Sequence, residues 1–155
     1  MHPDTHYDRE GELADFRLPA STGQTLSKEA FLGKVPVIVT FLPNLDGEQD
    51  ALQLIGYNER LKDFGSLPSQ VLAVAKATAS QVRRKADDLG IRFPILADPT
   101  GAFAADCDAL DPDRSFRAVT IVADKRGLIR HRIENAAPLD EAEAAYTFVQ
   151  TLVTT

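Results

Sequence analysis

Three carboxylates follow the longest apolar run of the chain and could carry acid–base chemistry. Residues 37–42 read Val-Ile-Val-Thr-Phe-Leu, Pro43 ends the run, and Asp46, Glu48 and Asp50 lie in the segment after it. A β-branched run that leads through a turn into a helix is typical of an α/β sheet, which places binding sites at the carboxyl ends of its strands. A hydrolase built on these carboxylates is one hypothesis, supported by their proximity alone.

The same segment predicts the start of an amphipathic helix. Asp46 suits the N-cap position and Gln49, three residues later, completes a capping-box pattern, so the first free amides are expected from Gly47 to Asp50. An anionic group is favoured beside these amides, and the helix dipole is expected to hold Asp50 ionised. Apolar residues then recur at helical spacing and are expected to pack on the sheet: Leu54, Tyr57, Leu61 and Phe64.

The chain has a single cysteine, Cys107, which is the other candidate for chemistry. Phe103, Cys107 and Leu110 share one face of a predicted helix, so the thiol is expected in or near the core, where it acts as a small apolar side chain. The flanking Asp106 and Asp108 would disfavour the thiolate if they lie close. Packing is the preferred interpretation of Cys107, and a redox role is the alternative.

The histidines do not predict a metal site. His2 and His6 lie in a polar segment and His131 lies in a charged strand, so no Cys/His cluster has ligand spacing. No glycine-rich phosphate loop and no Ser/His/Asp arrangement stands out. We therefore expect neither a metal nor an organic cofactor.

Pro43, Gly47 and Asp50 carry a resemblance to the peroxiredoxins, the alkyl hydroperoxide reductase and thiol-specific antioxidant (AhpC/TSA) family. Peroxiredoxins have a Pro-x-x-x-Thr/Ser-x-x-Cys motif after the same strand, and this chain keeps only the proline. The resemblance places Gly47 at the hydroxyl position and Asp50 at the peroxidatic cysteine. It also places Ile55 at the resolving cysteine of the bacterioferritin-comigratory branch, which the chain is nearest. Both thiols of that chemistry are therefore absent.

The resemblance also implies an arginine near the start of a later strand, in an Arg-x-Thr-Phe pattern. Counting back from the turn at Gly127 places Ala118 at this position, with Arg117 one residue before it. A one-residue offset turns a side chain to the other face of a strand unless a bulge absorbs it. Arg117 is the candidate for the family's arginine on this basis.

The resemblance covers most of the chain and implies an α/β, thioredoxin-like fold of the peroxiredoxin variant. This fold has a mixed central sheet flanked by helices and an N-terminal hairpin. The residues that match the family's entry hairpin and its Asp-Pro-x-Gly segment are Asp15, Phe16, Leu18, Gly23, Gly33, Lys34 and the range 93–101.

Residue periodicity predicts the remaining elements independently. Asp98 at an N-cap and Pro99 at the first helical position predict a helix to about Leu110. The charged, alternating strand 128–133 is expected near a sheet edge. Other predicted elements are a buried strand at 71–75, a helix at 80–89 that Gly90 ends, a strand at 117–123 that forms a hairpin with 128–133, and a helix at 140–153.

Length and charge limit the classes of protein. With 155 residues and 44% apolar content the chain is expected to form one domain, residues 1–155, with 1–12 as a flexible tail. A net charge of -6 argues against nucleic acid as a partner. The absence of a signal peptide or membrane span favours the cytoplasm, and one cysteine agrees with a reducing compartment.

Three functions are left open by these patterns. The first is a peroxiredoxin-like protein that has lost thiol peroxidase activity and acts as a binding or assembly module. Its partner would be a second copy or another protein, at the degenerate active-site face or a sheet edge. Asp50 would then either stabilise its helix, by about half a kcal/mol, or bind a cation or a partner's donor group. The alternatives are a thiol oxidoreductase or redox sensor that uses Cys107, and the carboxylate hydrolase.

Overall fold

The computed structural model describes residues 11–134 and 138–154. Residues 1–10 of the predicted N-terminal tail lie outside the described residues. Glu12, the last residue of that predicted tail, forms an isolated antiparallel bridge with Leu128. The amide of Leu13 also donates to the carbonyl of Gly127 over 2.8 Å, so the backbone is held against the sheet from this point.

A five-stranded mixed sheet forms the centre of the structure. Two short antiparallel strands, β1 (Arg17–Pro19) and β2 (Thr25–Ser27), form the predicted entry hairpin. The central sheet contains β3 (Val37–Leu42), β4 (Gln70–Ala75), β5 (Ile95–Ala97), β6 (Val119–Ala123) and β7 (Ile129–Glu134). Their order is β5-β4-β3-β6-β7, with β3, β4 and β5 parallel and β6 and β7 antiparallel to their neighbours. The predicted α/β class and the edge position of the charged strand are confirmed.

Helices cover the sheet and connect its strands. A 3₁₀ helix at Lys28–Ala30 follows the hairpin. The α-helices are α1 (Glu48–Glu59), α2 (Leu61–Ser66), α3 (Ala79–Leu89), α4 (Ala102–Asp106) and α5 (Pro138–Thr154). The connection from β3 through α1 and α2 to β4 is the predicted βαβ unit. Thr78 and Gln81 form a capping box at the start of α3, and Gly90 ends this helix in the left-handed conformation.

The alternation of β3 divides the core into two clusters. Ile38 and Leu42 pack with α1, α3 and α5 on one face, whereas Val39 and Phe41 pack with α4 and the hairpin on the other. Thr40 shares the face of Ile38 and Leu42 by the same alternation and is 1% exposed. A polar residue is therefore placed within the α1 and α5 side of an otherwise apolar strand.

The start of α1 differs from the prediction. The N-cap is Gly47, not Asp46, and it makes no side-chain cap. Asp46 lies inside a turn that the Gly47 amide closes on the Asn44 carbonyl over 2.9 Å. Its side chain is 89% exposed and pairs with Lys85 at 3.6 Å. The capping-box prediction was wrong because Asp46 lies inside this turn and the helix begins one residue later than predicted.

The predicted single helix through Phe64 is broken at Arg60. The backbone of Arg60 leaves the helical region at φ -97° and ψ 7°, and α2 begins after it. The Arg60 guanidinium is paired with Glu143 of α5 at 2.5 Å and lies 5.0 Å from the ring centre of Tyr146. Contacts with α5 thus accompany the break, while Phe64 remains buried as predicted.

The helix after Asp98 is shorter than predicted. Its N-cap is Gly101 at φ 76°, and it ends at Asp106 instead of near Leu110. Asp98 is not the N-cap, but its buried carboxylate accepts the amides of Phe103 at 3.3 Å and Ala104 at 3.0 Å. The prediction identified the capping carboxylate and placed the helix too early.

Candidate functional site

Asp50 lies in the first turn of α1 and turns back toward the end of β3. Its Oδ2 accepts the amide of Asn44 over 2.5 Å, so the carboxylate bridges the loop that links strand and helix. The residue is 7% exposed. Burial raises the pKa of Asp50 to about 6, and the Asn44 amide opposes this only in part. The expected effect of the helix dipole on Asp50 is therefore outweighed by desolvation.

A pocket of about 480 Å³ opens beside Asp50. Its apolar wall comes from the end of β3 and the residue before β6, and its polar wall comes from α1 and α5. The lining residues are Phe41, Leu42, Pro43, Asn44, Gly47, Glu48, Gln49, Asp50, Gln53, Ala118 and Glu141. Among the predicted site residues, the structure thus brings Pro43, Gly47 and Asp50 together.

A chain of buried polar side chains runs from this pocket into the α1 and α5 side of the core. Gln53 Nε2 lies 3.1 Å from Thr40 Oγ1, which lies 2.7 Å from Thr120 Oγ1. Thr120 donates to Glu141 Oε2 over 2.7 Å, and the Tyr57 hydroxyl donates to the same oxygen over 2.6 Å. All five residues are buried, so these hydrogen bonds lie in surroundings of low polarity, where each is stronger than in water.

The donors and acceptors of this network can be assigned by counting protons. Each threonine hydroxyl has one proton to donate. Because Thr120 donates to Glu141, Thr40 donates to Thr120 and must accept from Gln53. Gln53 therefore presents its NH₂ group to Thr40. At the other end of the network, burial and the contact with Glu141 raise the pKa of Tyr57 well above its usual value. The network has one direction, from Gln53 toward Glu141.

The residues of this network were not singled out by the sequence analysis, except Tyr57 as a packing residue. Thr40 and Thr120 could have been predicted as buried polar residues, because each is the one polar residue of an apolar strand. The two strands pair at these positions. Gln53 lies with Asp50, Leu54 and Tyr57 among the buried residues of α1, which marks it as an inward-facing amide. Glu141 gave no comparable signal.

Arg117 lies outside the pocket. It precedes β6, which begins at Val119, and its guanidinium donates to Glu134 over 3.2 Å and to the Asp108 carbonyl. Ala118 is the residue that lines the pocket. The one-residue offset therefore has the consequence expected for a strand, and the structure does not bring Arg117 to Asp50.

The Asn44 side chain occupies the space that a side chain at position 47 would need. A Cβ at this position would lie 2.8 Å from Asn44 Nδ2 and 3.2 Å from the Asn44 carbonyl oxygen. A threonine at position 47 would therefore displace Asn44. Because the Asn44 amide holds Asp50, the loop is fitted to both the glycine and the aspartate.

Cys107 is in the other core cluster, which confirms its predicted burial. It directly follows α4, packs with Phe103, and is 6% exposed. Burial raises the pKa of its thiol to about 12, despite the opposing effects of the Ala14 amide and Arg132. The thiol is therefore neutral at physiological pH and on the side of the sheet away from the Glu141 network.

We predict that Cys107 reacts slowly in the native protein and rapidly after unfolding. A buried, neutral thiol is a poor nucleophile, and denaturation removes the burial. Labelling with an aromatic disulfide reagent, with and without urea, measures both rates. Cys107→Ala should lower the free energy of unfolding by about 1 kcal/mol, since a small cavity is left. Native labelling as fast as in urea would contradict this placement.

The other predicted carboxylates do not gather into a catalytic group. Asp46 points to Lys85, and Glu48 is exposed at the edge of the pocket. Within residues 11–134 and 138–154, no group of three or more His, Cys, Asp or Glu side chains is arranged to hold a metal. In the same part of the chain no helix has the length and apolar character to cross a membrane.

Comparison with known proteins relates this arrangement to a family. The model of the AhpC/TSA family matches residues 10–132. Alkyl hydroperoxide reductase C of Helicobacter pylori is 28% identical over 138 residues, which cover 81% of this chain and 69% of the relative.

Solved structures of similar proteins show the same fold. Peroxidoxin BcpB of Mycobacterium tuberculosis has a TM-score of 0.86 at 18% identity and covers 93% of this chain and 97% of its own. The bacterioferritin comigratory protein of Xanthomonas campestris gives 0.82 at 15% identity, with 88% and 90% covered. AhpC of Enterococcus faecalis gives 0.81 at 22%, with 94% and 93% covered. These likenesses confirm the predicted thioredoxin-like fold of the peroxiredoxin variant.

Proposed function

Because this chain belongs to the AhpC/TSA family, we propose that it is a peroxiredoxin-like protein without thiol peroxidase activity that acts as a binding or assembly module. The observation that carries this proposal is the carboxylate of Asp50 in the first turn of α1, beside the pocket. Peroxide reduction needs a thiolate that becomes a sulfenic acid, and a carboxylate has no such redox states. Pro43, Gly47 and Asp50 form the degenerate site in this proposal.

The remaining parts of thiol chemistry are also lacking at this pocket. Arg117 pairs with Glu134 instead of facing Asp50, and Ile55 supplies no resolving thiol. The sole cysteine is buried with a raised pKa, which argues against the alternative oxidoreductase that uses Cys107. Asp46 points away, which argues against the carboxylate hydrolase.

The size and the lining of the pocket favour a binding role. Its volume of about 480 Å³ can accept a side chain or a small molecule, and its polar wall is preformed by the buried network. We place the partner, a second copy or another protein, at this face or at the β7 edge. We also propose that residues 1–155 act as one cytoplasmic domain.

We predict that the purified protein, supplied with dithiothreitol or with thioredoxin and its reductase, turns over no hydrogen peroxide above a protein-free control. The physical reason is the lack of a thiol at the helix N-terminus. Peroxide consumption and the rate of reductant oxidation are the measurements. Turnover that Cys107→Ser abolishes would overthrow the proposal and favour the Cys107 oxidoreductase.

A variant protein tests whether this pocket can activate a thiol. Asp50→Cys combined with Cys107→Ser places the only cysteine in the first turn of α1, where helix amides favour the thiolate. This thiol should be alkylated faster than native Cys107 and should form a sulfenic acid with dilute peroxide. Gly47 is left unchanged in this variant, because a side chain at position 47 would meet Asn44.

A further inference from the structure

Three oxygen atoms in the pocket beside Asp50 accept no hydrogen bond from the described residues. They are Oδ1 of Asp50, Oε1 of Gln53 and Oε1 of Glu141, and these residues are 7, 8 and 4% exposed. The other polar atom of each side chain is already bonded. None of the three oxygens is sealed off within the protein, so each borders space that a ligand can enter. Buried acceptors of this kind normally have a donor.

The buried network fixes the orientation of the Gln53 amide, and the amide oxygen accepts no hydrogen bond within the network. Thr40 uses its own proton on Thr120 and can only accept from Gln53. The NH₂ group of Gln53 is therefore committed to Thr40. A neutral amide thus adds an open acceptor to the two carboxyl groups, independently of their charge.

The pocket supplies no cation of its own to meet these acceptors. Among the residues that the structure describes, none that lines the pocket is lysine, arginine or histidine. Lys85 reaches the turn before α1, and its ammonium group is paired with Asp46. Glu48 and Asp50 lie in the first turn of α1 and oppose the positive end of its dipole. A ligand that brings both N–H donors and positive charge therefore complements these acceptors.

We propose that the pocket binds an organic cation, a guanidinium or primary ammonium group on a short aliphatic stem, with its N–H groups directed at Asp50, Gln53 and Glu141. Phe41, Leu42 and the other apolar lining residues receive the stem. This inference rests on the proposed binding function and names the chemistry of the ligand. Such a group is either the arginine or lysine side chain of a partner protein or a free small amine.

The apolar wall favours an organic cation over a metal ion. Hard divalent metals prefer a shell of oxygen ligands and keep bound waters. Here one side of the pocket is formed by Phe41, Leu42, Pro43 and Ala118, which offer contact to methylene groups and none to a hydrated ion. Several N–H donors on one cationic head match acceptors that come from α1 and α5.

The test is a titration of the ¹⁵N-labelled full chain with butylguanidinium and butylammonium chloride, followed by amide chemical shifts. Pentanoate, 1-pentanol, MgCl₂ and CaCl₂ serve as comparison ligands. We expect both organic cations to bind with shifts centred on Asn44, Glu48 and Gln53. Asp50→Asn and Gln53→Met should each weaken binding about tenfold. Glu143→Gln, in α5 but outside the pocket, should leave the dissociation constant unchanged.

Several results would overturn the proposal. The first is that pentanoate or 1-pentanol binds as tightly as the cations. The second is that either metal displaces butylguanidinium at equal concentration, and the third is that both pocket variants keep the parent's affinity.

A capped Gly-Arg-Gly peptide distinguishes the two sources of the cationic group. Binding at least tenfold tighter than butylguanidinium supports a partner's side chain, and weaker binding supports a free amine. Peroxide assays on the same samples separate the two proposals, because turnover contradicts the function and absent cation binding contradicts only this inference.

Discussion

Glu141→Leu should lower the free energy of unfolding by about 3 kcal/mol, because two buried hydroxyl groups lose their acceptor. In the native protein Tyr57 and Thr120 both donate to Glu141 Oε2. Leucine fills the volume of the glutamate and keeps water from replacing it as the acceptor. Urea unfolding at constant pH, followed by circular dichroism, measures the loss.

A second substitution makes this prediction specific to hydrogen bonding. Tyr57→Phe should cost about 1 kcal/mol in the parent protein, where it removes a hydrogen bond. In the Glu141→Leu background the same change should stabilise the protein, because it removes an unpaired hydroxyl group. The sign of the Tyr57 effect therefore reverses between the two backgrounds. Equal effects in both would show that the hydroxyl is not bonded to Glu141.

Glu143→Leu is the matched control for this experiment. Glu143 lies two residues away in the same helix, and its side chain is 63% exposed. Its ion pair with Arg60 is at the surface, where such pairs contribute between about 0 and 1 kcal/mol. A loss at Glu143 as large as that at Glu141 would indicate a general effect of leucine on α5.

Asp50→Asn should remove a pH dependence of stability between about pH 4 and pH 6. Burial raises the pKa of Asp50 from 3.8 to about 6, so the native state binds a proton more tightly than the unfolded chain does. The contribution of Asp50 to stability is therefore complete below pH 4 and is lost as the pH rises through 6. Allowing for screening by water in the pocket, the loss at pH 7 is about 2 kcal/mol.

Asparagine keeps an oxygen for the Asn44 amide and has no charge to desolvate. The variant should therefore be about 2 kcal/mol more stable than the parent at pH 7 and similar to it at pH 4. Chemical unfolding at intervals from pH 4 to 7.5 gives the difference curve. A flat difference curve for Asp50→Asn would show that its carboxylate is not desolvated.

Much of the fold could be predicted from sequence because local signals and tertiary packing agree. The apolar runs of β3 and β4, the Gly90 stop after α3 and the alternation of β7 each satisfy one periodicity. The predicted helix starts were wrong where a turn separates the capping residue from the helix. Asp46 was taken into the turn before α1, and Asp98 reaches its amides across Gly101.

The site was predicted only where one segment contains it. Pro43, Gly47 and Asp50 are close in sequence, so the loop that joins them was visible. Glu141 reaches the pocket from a helix that follows every strand, and nothing in its sequence neighbourhood points to Tyr57 or Thr120. The orientation of Arg117 depends on where β6 begins, which periodicity defines to within a residue or two at best.

Because α5 contributes Glu141 to the pocket, the pocket is completed late in synthesis. Chains leave the ribosome N-terminus first. All five strands of the central sheet are made before Glu141, so the sheet can pair while Thr120 and Tyr57 still lack their acceptor. The pocket is therefore finished only when α5 docks. A nascent chain at the preceding stage exposes both these hydroxyls and the apolar surface that α5 covers, which is the form that a chaperone would meet.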